Sequence, residues 1–277
     1  MANTWKSVMG ARSEAIVILT GDVHHWSLHS LPEFDYAMEY LDVVRRTDIS
    51  STLFLTGRCV RENIRRFEAC VDEHKGHVEF GCHTYDAHYL LLGHRYHIDS
   101  VRGLIDTITR RKTLLGTRKL LATAYYVHDV GKCIREFADV GIRPICWRTH
   151  GYRRSPSLYR QLLRFGFRVV SDVHCDTFRP FPDSGLLQVP ITLADDVMFD
   201  FNYVVSNPVQ AFKLLRNKIN WIINSDSSAQ LQLHPLYMKI IGFKRMEELI
   251  RQFIENNYTF LTMLELYELT RRVNRAL

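Results

Sequence analysis

The chain has 277 residues, 46% of them hydrophobic, which is enough for one substantial core, and its 36 Lys and Arg against 30 Asp and Glu leave a formal charge of +6 that identifies no partner. Cys59, Cys70, Cys82, Cys133, Cys146 and Cys175 form no CxxC pair and suit a reducing compartment. The polar N-terminal stretch does not read as a signal peptide and no apolar run could span a bilayer, so a cytoplasmic protein without a transmembrane segment is expected.

Residues 15–20 read as a first, β-branched strand that ends in Thr20-Gly21-Asp22-Val23-His24-His25. An amphipathic helix follows at 35–46, then a strand at 51–56, a helix at 62–73 and a strand at 77–81. The third strand runs into Gly81-Cys82-His83-Thr84-Tyr85-Asp86-Ala87-His88-Tyr89. Imidazoles and a carboxylate gathered after strand ends can hold a divalent ion of zinc type, with an open position for water.

Residues 89–128 carry seven basic side chains (Arg95, Arg102, Arg110, Arg111, Lys112, Arg118, Lys119) against Asp99 and Asp106. The segment reads as a basic helical insertion, either a flap that meets a sugar-linked phosphate or a solvated helix pair whose leucines pack on the body. Basic residues interleaved with leucine rather than with exposed aromatics argue against nucleic acid.

Further along, helix 130–139 precedes strand 142–147 and the sequence Arg148-Thr149-His150-Gly151-Tyr152. Helix 157–165 leads to strand 168–171, followed by Asp172-Val173-His174. Asp195-Asp196 reads as an acidic turn outside the catalytic set. A helix at 208–217, strands at 221–223 and 231–233, His234-Pro235, a helix at 245–256 and closing elements at 260–273 complete the chain. Repeated strand-then-helix order argues for parallel strands covered by helices, and Asp22, His83, Arg148 and His234 all fall just after strand ends, where sites in such folds gather. No long linker divides the sequence, so one domain spanning 1–277 is expected.

Five stretches in order resemble the polysaccharide deacetylase family, the NodB-homology or carbohydrate esterase 4 group. Leu19 to Val23 resembles its opening strand and acidic motif, and residues 52–57 its next strand. His83 to His88 is similar to its histidine motif, Trp147 to Tyr152 to its arginine motif, and Leu233-His234-Pro235 to its closing motif. The resemblance implies a distorted (β/α)7 barrel and a hydrolase that uses a divalent metal, zinc being the expected ion, to remove an N-acetyl or similar N-acyl group from an amino sugar or nucleotide-linked sugar. It implies Asp22 as general base, His234 as general acid, Arg148 as the group that orients Asp22, and Asp172 as the acidic residue that tunes the acid histidine.

Three departures stand out. Val23 occupies the position of a metal-binding Asp, so His24, two residues beyond Asp22 and on the same side of an extended segment, is the nearest substitute; Asp22 itself could also ligate. His88 follows His83 by five positions rather than four, and a bulge is needed for both to ligate. His150 stands where the family usually has proline, as a substrate contact together with Tyr152 or as an added ligand. The expected metal set is therefore His24, His83, His88 and Asp22. Two other readings remain open: a catalytically silent carbohydrate-binding barrel that lost its metal with the change at Val23, and a metallophosphoesterase suggested by Gly21-Asp22-Val23-His24 but lacking that group's later Asn and His clusters.

Overall fold

A computed structural model describes residues 15–24, 32–85, 128–152 and 154–276. The expected ligand His88 and all but the last residue of the basic segment 89–128 lie outside the described residues.

The described strands are β1 (Ile16–Val23), β2 (Ser51–Leu55), β3 (Val78–Cys82), β4 (Cys146–Trp147), β5 (Val169–Val170), β6 (Phe181–Asp183), β7 (Leu186–Gln188), β8 (Leu193–Ala194), β9 (Ala229–Gln232) and β10 (Thr259–Phe260). They form one sheet in the order β6-β7-β5-β4-β3-β2-β1-β9-β8, with β10 paired to the start of β1. Every pairing is parallel except the β6–β7 hairpin, which turns through Ser184 and Gly185, both at positive φ. β7 pairs with β5 and β8 pairs with β9, so the short stretch 186–194, interrupted at Pro190, curls the sheet round toward its other end. The result is a distorted (β/α) barrel of the deacetylase type.

β1 is buried along its whole length, as a parallel strand with layers on both faces must be. Its alternation sorts two environments. Val17, Leu19 and Val23 pack outward with the helices, among them Phe34, Ala37, Tyr40, Leu41 and Val44 of the helix Glu33–Thr47. Ile16 and Ile18 point into the barrel with Phe54, Cys146, Val169 and Val189, over Met263 and Leu266 of the C-terminal helix. Further up the same inner face come Thr20 and Asp22, and polar Gln230 and Gln232 of neighbouring β9 are equally buried. The barrel interior is therefore apolar at the N-terminal ends of the strands and polar at the C-terminal ends.

Two sequence expectations are corrected here. Residues 221–223 are not a strand: they belong to the helix Pro208–Asn224, whose buried Ala211, Leu215, Ile219 and Ile222 follow a helical spacing while Trp221 is 51% exposed. The strand expected at 142–147 is confined to Cys146–Trp147. Other boundaries lie close to expectation, including the helix Pro156–Phe165, which starts on a proline and stops at Gly166 with φ 95°.

Candidate active site

Strand pairing fixes the residues just beyond the strand ends. His83 N–H donates to Leu55 O at 2.8 Å, Arg148 N–H to Cys82 O at 3.0 Å and Leu233 N–H to Thr20 O at 2.8 Å, so each loop leaves its strand already anchored to the next. After His83 the chain turns through Thr84 at φ 62°, an unfavourable conformation for a β-branched residue. Gly57 and Arg58 N–H groups hold this turn by donating to Thr84 O and Tyr85 O, each at 2.9 Å.

Asp22 and Arg148 form the centre. Arg148 is fully buried: its Nη1 donates to Asp22 Oδ1 at 2.6 Å, its Nη2 to Thr20 Oγ1 at 3.1 Å and Ser171 Oγ at 2.9 Å, and its Nε to Ser171 O at 3.2 Å. The guanidinium also lies 4.3 Å from the centre of the Phe54 ring. The other oxygen, Asp22 Oδ2, accepts from Gln232 Nε2 at 2.9 Å and lies 3.7 Å from His83 Nε2 and 3.8 Å from His234 Nε2. Burial would raise the Asp22 carboxyl, but the charge of Arg148, followed by His83 and His234, outweighs it and brings the pKa down to about 2. Asp22 is thus a carboxylate throughout the neutral range, held by the Arg148 guanidinium.

His24, His83 and His150 converge beside it. Their candidate ligand atoms all lie within 4.8 Å of one another, and His150 Nδ1 is 3.2 Å from both His24 Nε2 and His83 Nε2. Zinc–nitrogen distances of 2.0–2.1 Å put two ligand nitrogens of a tetrahedral site about 3.3 Å apart, so this spacing fits a divalent ion. The outward nitrogens of His83 and His24 are also satisfied. His83 Nδ1 faces Arg148 O at 2.9 Å, and His24 Nδ1 faces Glu33 Oε2 at 2.7 Å. Burial pushes the His83 imidazole down to about 4, leaving it neutral, the state in which a nitrogen can ligate. His24, expected on sequence as the substitute for the residue lost at Val23, and His150, assigned on sequence as a substrate contact or an added ligand, thus stand beside His83.

His234 lies two residues past the end of β9 and directly precedes the helix Pro235–Ile241. Its acidic partner is Asp195, whose Oδ1 meets His234 Nδ1 at 2.5 Å and whose Oδ2 accepts from His234 N–H at 2.7 Å. Burial opposes the charged ring, yet Asp195, then Asp196 and Asp22, raise it to about 10. Asp172, expected beside this histidine, has other partners. Asp172 accepts from Thr149 N–H at 2.6 Å, Thr149 Oγ1 at 3.0 Å and Tyr159 Oη at 3.1 Å, and it braces the loop that carries Arg148 and His150. Asp172→Ala should lower stability by roughly 1–3 kcal/mol, because buried donors lose their acceptor, while the His234 titration stays where it was. Urea unfolding and NMR titration check the two halves of that expectation.

Tyr152, at φ 55°, directs its hydroxyl to Asp196 at 2.9 Å and receives Gln232 Nε2 at 2.7 Å. Its ring stands edge-on to His174 at 4.3 Å. Sequence reading set Asp195 outside the site and did not single out Gln232 or Glu33, all three of which the structure places beside it. Asp195 follows the end of β8 and Gln232 lies two residues before His234, so the strand-end rule and the strand alternation point to both; Glu33, opening a helix, carries no such signal.

No protein-family model and no curated protein matches the chain. Solved structures do. A protein from Mycobacterium smegmatis assigned as a polysaccharide deacetylase aligns at a TM-score of 0.66 and 15% identity, covering 95% of this chain and 92% of its own. The peptidoglycan deacetylase PdaC from Bacillus subtilis, as a mutant, aligns at 0.55 and 12% identity over 95% of both chains. A carbohydrate esterase family 4 pseudoenzyme from Bacillus anthracis aligns at 0.57 and 16% identity over 92% of this chain and 66% of its own; a mutant of the pseudoenzyme with restored enzymatic activity aligns at 0.56.

Proposed function

We propose, for a chain that carries the fold of the polysaccharide deacetylases, that it is a metal-dependent hydrolase removing an N-acetyl or similar N-acyl group from an amino sugar or sugar conjugate. The observation that carries this reading is the position of Asp22: Arg148 holds one oxygen at 2.6 Å, and the other stands 3.7 Å from the imidazole of His83 and 3.8 Å from that of His234. A base, an acid and a candidate ligand thus face one small volume.

His24, His83 and His150 would hold the ion, which would supply Lewis acidity toward an acyl carbonyl and toward water. Asp22, kept ionised and oriented by Arg148, accepts the proton of the attacking water through Oδ2. His234, kept protonated by Asp195, delivers a proton from Nε2 to the departing amine. Tyr152, whose hydroxyl meets Asp196, and the His174 ring packed edge-on against it would offer a sugar ring an aromatic contact.

Elemental analysis of gently purified protein should find one divalent ion per chain, absent from His83→Ala and His150→Ala. The loaded protein should release acetate from a panel of N-acetylated amino sugars and their nucleotide-linked forms. No release from any of them sinks the hydrolase reading. A second reading, a silent carbohydrate-binding barrel, is favoured by Val23, whose side chain is buried away from the site among the outer core residues and can ligate nothing. Sugar binding with neither metal nor turnover would select it.

Among the described residues, no helix is long and apolar enough to cross a membrane.

A further inference from the structure

We propose that Glu33 is the outer carboxylate of an all-imidazole metal centre formed by His24, His83 and His150, and that it restores, one shell out, the negative charge that Val23 cannot supply as a ligand. The inference deepens the metal-dependent reading given above and rests on it.

The hydrogen bonds around the cluster fix its tautomers. Glu33 Oε2 accepts from His24 N–H at 2.8 Å and lies 2.7 Å from His24 Nδ1. A carboxylate oxygen only accepts, so the proton of a neutral His24 ring sits on Nδ1 and its Nε2 carries a lone pair. The same reasoning applies to His83, whose Nδ1 meets the carbonyl of Arg148 at 2.9 Å. Two lone pairs therefore point toward His150 Nδ1, which is 3.2 Å from each. These two nitrogens and a nitrogen of His150 converge closely enough to hold one ion between them.

Glu33 is itself built into the fold. It is 3% exposed, opens the helix Glu33–Thr47, and that helix is packed on the barrel through Phe34, Ala37, Tyr40 and Leu41. A buried carboxylate is retained only when paired, and its hydrogen-bond partners are the backbone and ring of His24. Carboxylates in this relation to a metal-bound histidine fix the ring's direction and make it a better donor. Three neutral nitrogens select zinc- or cobalt-like ions, whereas magnesium and calcium prefer oxygen. Asp22, with Arg148 and Gln232 on its two oxygens, is then left to act as base rather than as ligand.

The test is titration of chelator-stripped protein with Co2+, followed by visible absorption. The parent should bind one ion with the intense bands of a four- or five-coordinate nitrogen site, and Mg2+ should not compete. Glu33→Gln should bind Co2+ roughly 10- to 100-fold more weakly, with the band shape kept, whereas His150→Ala should lose it. Should Glu33→Gln fail to fold, 15N NMR of the metal-free parent decides: His24 protonated at Nδ1 supports the proposal, and protonation at Nε2 alone overturns it. Equal Co2+ affinity in parent and Glu33→Gln, or no Co2+ binding by the parent, also overturns it. Parent protein that shows the Glu33 dependence yet releases no acyl group removes the hydrolase reading and leaves this one standing; acyl release with no Glu33 dependence does the reverse.

Discussion

Arg148→Met should destabilise the protein by roughly 3–5 kcal/mol, the usual cost of stranding one member of a buried ion pair. Asp22 would remain, 2% exposed, with Gln232 as its one neutral donor in place of a guanidinium at 2.6 Å. The reverse change, Asp22→Asn, should also be costly, because it leaves a fully buried guanidinium that cannot lose its charge with neutral acceptors alone. Arg148 would keep Thr20, both acceptors of Ser171 and the face of Phe54. The double variant should accordingly recover much of the loss seen in Arg148→Met. Urea unfolding of the parent and the three variants measures this, and a loss below about 1 kcal/mol for Arg148→Met would show the pair to be no stronger than a surface one. The sign with pH follows from the lowered carboxyl. Stability contributed by Asp22 is complete above its ordinary value of 3.8 and is lost as pH falls through about 2.

Asp195→Asn should reduce kcat by roughly 10²-fold or more, the lower end of what a positioned acid contributes. Asp195 is completely buried, gives both oxygens to His234 and is first among the charges that lift that ring to about 10. Without it the imidazole loses its proton near neutrality and cannot supply the leaving amine. The pH profile separates this from a structural loss: the alkaline limb should move to lower pH in Asp195→Asn and stay in place in Asp172→Ala. Stability carries the same signature with the opposite sign from Asp22. Because the His234 pKa is raised above its ordinary 6.5, its contribution is whole below pH 6.5 and disappears as pH rises through about 10, and in Asp195→Asn that alkaline loss should shrink. An unmoved alkaline limb would remove Asp195 from the acid's support.

Much of this was legible in the sequence because parallel strands impose simple rules. The β-branched runs gave most of the barrel strands, and the residues just past their ends gave Asp22, His24, His83, Arg148 and His234, which the structure brings together. What was not legible depended on partners far along the chain. Asp172 and Asp195 both follow strands and differ only in what faces them: Thr149 and Tyr159 in one case, His234 in the other. Whether His150 would meet substrate or stand beside the other imidazoles depended on the turn His150–Tyr152, which, with Gly151 at φ 65°, folds it back toward His24 and His83. Residues 221–223 misled because Trp and Ile are strand formers; the helical spacing of the buried residues around them decides the matter only over a longer window.

The place of β1 in the sheet has a consequence for how the chain emerges from a ribosome. β1 is made first among the described strands, yet one of its neighbours is β9, and the link between Asp22 and Gln232 spans 210 positions. At 5–20 residues per second, roughly 10–40 s pass between the two. During that interval one edge of an apolar strand waits without its partner, a state prone to pair with other chains. Asp22 arrives with the first of these strands and Gln232 and His234 with one of the last, so the candidate site is assembled only after β9 docks, and a chain stopped before Ala229 would lack half of it.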